Sequence, residues 1–172
     1  MYDHLSPLAQ RVGVWLAKEC TNGMPRGFGD ELLEAFPEAD LAAMRTALAE
    51  LKVEGLVELS GVIGPRLSRS RPTYRLFTAA DPTATRQDPM RDAVIIARML
   101  IEDPQKNGIV RDLNRALGWE RRRFNPALGQ LLDLFPSNRR SNETQNEYPT
   151  RQLLVLDDEI LAMQRFIKSH TL

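Results

Sequence analysis

The stretch GWERRRFNPAL, residues 118–128, sets three consecutive arginines, Arg121, Arg122 and Arg123, between Trp119 and Phe124. Guanidinium groups are planar, permanently charged donors that match phosphate oxygens, so the cluster is suited to form a phosphate-binding edge. A solvated face is the alternative. A second cationic stretch lies earlier. From 60 to 80 the chain carries Arg66, Arg69, Arg71 and Arg75 and no acidic residue, with Ser68 and Ser70 alternating among them. In extended backbone Arg69 and Arg71 project to one side. A weaker group, Arg139 and Arg140, stands beside Ser137, Asn138 and Asn142 and is diluted by Glu143 and Glu147.

Other chemistries find no support. The single cysteine, Cys20, has no histidine near it in sequence, and His4 and His170 lie at opposite ends, so a buried inert thiol is expected. No Cys/His spacing suits zinc. No GxxxxGK[ST] occurs, and Gly23, Gly27 and Gly29 form a loop with no strand before it, so no phosphate cradle is expected. Asp157, Asp158 and Glu159 are read as the acidic first turn of a helix, where they complement its dipole, and not as metal ligands. Trp119 and Phe124 are expected to pack in a core. The chain is therefore read as a non-enzyme with no catalytic, cofactor or metal site.

The elements that must position the arginines follow from punctuation and periodicity. Ser6-Pro7 caps a helix in which Leu8, Val12, Trp15 and Leu16 recur at helical spacing. A short helix over 30–36 carries Leu32, Leu33 and Phe36 and stops at Pro37. Asp40 caps a third, with Leu41, Met44, Leu48 and Leu51 as its apolar stripe. Past Gly55, residues 56–59 read as a strand, and residues 73–77 as its return. Asp88-Pro89 then begins the series again, with Met90, Ala93, Val94, Ala97 and Leu100 as the stripe. A short helix over 109–117 closes at Gly118, a third runs toward Phe135, and a polar loop over 136–149 leads to a strand at 151–156. Tyr148-Pro149-Thr150 echoes Arg71-Pro72-Thr73. A final helix over 157–169 either packs between the halves or forms a dimer interface.

Composition bounds the class. The 172 residues are 42% hydrophobic and 27% charged, enough for a real core and too apolar for disorder. Lys+Arg and Asp+Glu balance at 23 each, so attraction to a polyanion must come from local clusters. One cysteine, no signal-peptide pattern and no apolar run of membrane length lead to the expectation of a cytoplasmic protein without membrane contact.

The stretch LAELKVEGLVEL, residues 48–59, resembles the end of a winged-helix recognition helix running through glycine into the first wing strand. ALGQLLD, residues 127–133, is similar but lacks the glycine-leucine-valine exit. Over nearly the whole chain the order resembles two tandem copies of the winged helix-turn-helix family. That implies an α+β, mainly helical fold. Two winged-helix domains, each three helices plus a β-hairpin wing, would occupy 1–79 and 88–172, with a linker at 80–87 and a C-terminal helix.

The resemblance also implies a partner, double-stranded DNA, and a role in transcription regulation. The third helix would enter the major groove while the wing meets phosphate. On the first such helix Arg45 and Thr46, with Ala42 and Ala49, would face outward. Arg45 would suit guanine, and Thr46 and the alanines thymine methyls. Glu50 and Glu54 would repel phosphate if they pointed the same way. Arg66, Arg69, Arg71 and Arg75 would line the first wing, and Arg139 and Arg140 the second. Arg121, Arg122 and Arg123 would stand at the entrance of the second recognition helix, where Asn125 either caps a fresh helix before Pro126 or marks a kink. The alternative is a non-enzymatic adaptor whose winged helices bind protein, as in accessory subunits of chromosome-organising complexes.

Overall fold

In a computed structural model that describes residues 2–61, 66–141 and 147–171, Ser6 caps helix α1 (Pro7–Glu19). Its hydroxyl accepts from the Ala9 N–H at 3.2 Å, and Pro7 takes the first helical position, where an N–H would have no partner. Asp40 likewise caps α3 (Leu41–Val53), accepting from Ala43 N–H at 2.7 Å. Between them lies α2 (Glu31–Ala35). The chain divides into two units, Met1–Thr21 with Pro25–Gln87 and Asn22–Met24 with Asp88–Leu172.

In the first unit Leu16, Leu32, Met44, Leu48 and Leu51 meet in one core with Phe28 and Phe77. Each such side chain contributes about 2 kcal/mol by leaving water. Gly55, at φ +68°, turns the chain out of α3 into β1 (Val57–Ser60), which pairs antiparallel with β2 (Arg69–Pro72). The register sets Glu58 opposite Arg71 and Ser60 opposite Arg69 on the exposed side. Phe28 extends the ribbon: it exchanges two backbone hydrogen bonds of 2.8 Å with Ser70.

The returning strand thus comes earlier than residues 73–77. Those residues begin α4 (Tyr74–Ala84), a helix that also covers much of the segment expected as linker. The physical reason is a helical stripe: Leu76, Phe77 and Ala80 recur on one side and are buried. Thr73 marks the switch, its N–H bonding the Leu56 carbonyl and its hydroxyl the Gly55 carbonyl. Burial drives the Tyr74 phenol well above its ordinary pKa.

The second unit is helical, with no strand among its described residues. Asp88 caps α5 (Pro89–Glu102) through Met90 N–H and Arg91 N–H. There follow α6 (Pro104–Asn107), α7 (Val110–Leu117) and α8 (Arg121–Gly129). Gly118, at φ +66°, ends α7 in the left-handed conformation. Helix α8 begins at Arg121 and runs through Asn125 and Pro126 without restarting, and a 3-10 turn, Leu132–Leu134, follows it.

In place of a hairpin, the described residues hold two isolated bridges, Ile109 to Gln152 and Arg140 to Leu153. The last helix, α9 (Asp157–His170), packs on α5. The fold is mainly helical, α+β, with one small antiparallel sheet among the described residues. No helix of the described residues is long and apolar enough to cross a membrane.

Candidate nucleic-acid interface

Helix α3 buries Met44, Ala47, Leu48 and Leu51 and turns Ala42, Arg45, Thr46 and Ala49 to solvent. Arg45 Nη2 donates to the Arg66 carbonyl at 3.2 Å, which ties the helix to the approach of the ribbon. Thr46 spends its hydroxyl on its own helix, donating to Ala42 O at 3.1 Å. The two carboxylates that could spoil this face are drawn elsewhere. Glu50 Oε2 accepts the Ser6 N–H at 2.7 Å, and Glu54 Oε1 lies 2.9 Å from His4 Nε2.

On the ribbon, Arg69 and Arg71 are both exposed while Ser70 between them is buried, as alternation requires. Arg69 lies over Gly27, where an added Cβ would stand 2.4 Å from its Nε. Arg26 stacks above the Phe28 ring at 3.9 Å and stands 3.8 Å from Glu19 and 4.0 Å from Glu31. Glu31 is held below the ordinary carboxylate range, first by its own backbone N–H, then by that of Gly29, with Arg26 and Arg69 adding attraction. Arg75 does not belong to the ribbon. It sits in the first turn of α4 near Gly55, because the strand ends at Pro72.

The opening triplet has a different setting. Arg123 makes a two-pronged ion pair with Asp92, with Nε–Oδ2 and Nη2–Oδ1 both 2.7 Å, and lies over the Trp119 ring at 4.0 Å. That hydrogen bonding holds its pKa above the usual arginine value. Arg121 Nη2 stands 3.0 Å from Glu147 Oε1, with its guanidinium 5.7 Å from the Tyr148 ring. Arg122 is half-buried.

Asn125 is neither cap nor surface. It is 0% exposed, and its amide donates to the carbonyls of Asn22 and Glu147 at 2.8 and 2.9 Å. Residues 124–129 of α8 are all buried, and Phe124 meets Tyr148 edge to face. Arg139 Nε points toward buried Glu159 at 3.8 Å, while Arg140 is half-buried at its bridge to Leu153. Ser137 and Asn138 are exposed, whereas Asn142 and Glu143 lie outside the described residues.

The structure therefore gathers Arg45, Thr46, Arg66, Arg69 and Arg71 in the first unit and occupies Arg121, Arg123 and Arg139 with carboxylates in the second. Sequence reasoning missed Glu58, which stands across from Arg71. It also passed over Arg111 and Arg115, exposed on α7 on either side of Asp112 at 3.6 and 3.5 Å.

Among the described residues no group of three His, Cys, Asp or Glu could hold a metal ion, and Cys20 is buried. Glu159 Oε2 accepts the Leu156 N–H at 2.9 Å, a capping role for this member of the acidic triplet. Compared with known proteins, the chain matches no family model, no curated protein and no solved structure.

Proposed function

We propose that the protein is a non-enzymatic, tandem winged-helix protein that binds double-stranded DNA through its first unit and acts in transcription regulation. One observation carries this reading. Helix α3 offers a solvent face of small residues around Arg45, the ribbon beside it offers Arg66, Arg69 and Arg71, and Glu50 and Glu54 are engaged away from both. Small side chains admit a helix close to base edges, and the flanking guanidinium groups suit phosphate.

The test is an anisotropy titration with random-sequence duplex at two salt concentrations. Three to four phosphate contacts give a log–log slope of roughly −3 to −4, at about −0.9 each. Absence of binding at low salt removes the DNA reading.

The second reading, a protein-binding adaptor, draws on the other unit. Residues 124–129 of α8 are buried, and Arg121 and Arg123 in its first turn stand beside acids. A protein that leaves duplex unbound at low salt yet retains a stable fold fits this reading.

A further inference from the structure

On the first unit, α1 carries a second surface that shares no residue with the arginines of the ribbon. Arg11, Val14, Trp15 and Lys18 recur at helical spacing and so share one face. They wall a groove of about 500 Å³, with Phe36 buried and Thr83 of α4 on its rim. That volume lies within the range of sites that take a few side chains. Trp15 is half-buried, held edge-on by Phe28 and Phe36 at 5.4 and 6.2 Å, so the apolar wall is already formed.

The charge around this groove is uneven. Arg11 stands over Phe36 at 5.3 Å and is paired with Glu38, whose carboxylate is held below its ordinary pKa by its own backbone N–H and then by Arg11. Glu19 is turned to Arg26. Lys18 is exposed, and among the described residues no ion pair engages it. The groove is thus apolar in the middle with an unopposed cation at one end.

We propose that this groove docks an acidic amphipathic helix of a partner protein. Its apolar residues, spaced three or four apart, cover Val14, Trp15 and Phe36, and a carboxylate one to two turns away meets Lys18. The rings of Trp15 and Phe36 suit apolar side chains better than the phosphates of an anionic duplex. The inference is independent of the DNA reading, since it uses none of the same side chains.

The experiment selects a phage-displayed library of random peptides, about four helical turns long, on the full chain. Expected winners pair Leu, Phe or Trp at helical spacing with Asp or Glu. A synthetic winner shifts Trp15 emission and binds Lys18→Glu about fivefold more weakly, as a lost exposed ion pair implies. Thr83→Glu, which sets a carboxylate in the wall of the groove, gives a similar loss, and circular dichroism confirms that each variant is folded. Winners without acidic residues, winners indifferent to both variants, or no enrichment would each overturn the proposal. A concentration-dependent self-association dissolved by Lys18→Glu would overturn it too. The occupant would then be a second copy, whose exposed Asp157, Asp158 and Leu161 supply acid and an apolar side chain.

Discussion

Helices α3 and α8 each follow a short helix in their own unit and precede a segment that bridges back across it. Helix α3 is apolar on one side only and keeps its other face in solvent. Helix α8 is short, and Phe124, Ala127 and Leu128 share it with Pro126 and Gly129, all of them buried. Burial of residues 124–129 leaves only the first turn of α8 open to a groove. The carboxylates differ in the same sense. In the first unit Glu50 and Glu54 are drawn to Ser6 and His4, and the carboxylates left near the arginines are Glu58, across from Arg71, and Glu31, attracted by Arg26 and Arg69. In the second, Asp92, Glu147 and Glu159 come to the arginines. An arginine cluster is a binding edge or a brace according to where its nearest carboxylates are held.

The largest expected effect separates these two roles. Replacing Arg66, Arg69 and Arg71 with alanine should lower duplex affinity by about two powers of ten at 0.1 M salt and flatten the salt slope by roughly 0.9 per contact. Arg121→Ala with Arg122→Ala should leave both nearly unchanged. Equal losses from the two variants, measured by anisotropy, would erase the distinction between the units.

Arg123→Ala should do the reverse, preserving duplex binding while destabilising the fold. Asp92 is 5% exposed, so removing its partner leaves a buried carboxylate unpaired. Because Arg123 itself is half-exposed, the cost is about 2 kcal/mol, below that of a fully buried pair. Denaturant midpoints read it directly. Arg123→Lys should recover only part of the loss, since an ammonium cannot make the two-pronged contact.

Most of the helices and their caps were legible in the sequence, although α4 and α6 were not. Ser6, Asp40 and Asp88 cap where they stand, and Gly118 ends α7, because capping is local chemistry that needs no tertiary context. The exposed face of α3 was legible for the same reason, as a gap in its apolar stripe. What escaped was decided at long range. Residues 73–77 alternate well enough to suggest a strand, and only packing of Leu76, Phe77 and Ala80 against the core makes them helix. The fate of Arg123 depends on Asp92, 31 residues away, and that of Asn125 on Glu147. Spacing along the chain carries no record of such pairs.

A pair of glycines extends the comparison at smaller magnitude. Gly27 and Gly108 each precede the residue that bridges to the returning segment, Phe28 and Ile109. A Cβ at Gly108 would stand 2.6 Å from the Leu153 carbonyl oxygen and 2.8 Å from that of Pro104, both rigid backbone. Gly108→Ala should therefore cost about 1–2 kcal/mol through forced displacement. A Cβ at Gly27 meets the Arg69 side chain, which can swing aside, so Gly27→Ala should cost less than about 0.5 kcal/mol. Its effect should instead fall on duplex affinity, because Arg69 loses its resting place. Thermal unfolding of both variants checks the order; a larger loss for Gly27→Ala would mean that Arg69 is a brace like Arg123.

The smallest effect concerns Glu31, the one carboxylate whose lowered pKa involves an arginine of the proposed edge. Its own N–H and that of Gly29 do most of the lowering, with Arg26 and Arg69 contributing last. A carboxyl whose folded pKa lies below its unfolded value of 4.5 stabilises the fold above that value, and the contribution is lost as pH falls through the folded pKa. Glu31 is largely exposed, so that stabilisation is small and screened by salt. Its titration midpoint is still readable by NMR. Arg69→Ala should raise the midpoint slightly, and saturating duplex should raise it in wild type as well, because phosphate then takes up the Arg69 charge. Arg71→Ala, whose guanidinium does not act on Glu31, should leave it in place. A midpoint indifferent to Arg69→Ala would mean that Arg69 points away from Gly27 and Glu31 in solution. One that moves with Arg69→Ala but not with saturating duplex would leave Arg69 beside the acid and out of the DNA contact.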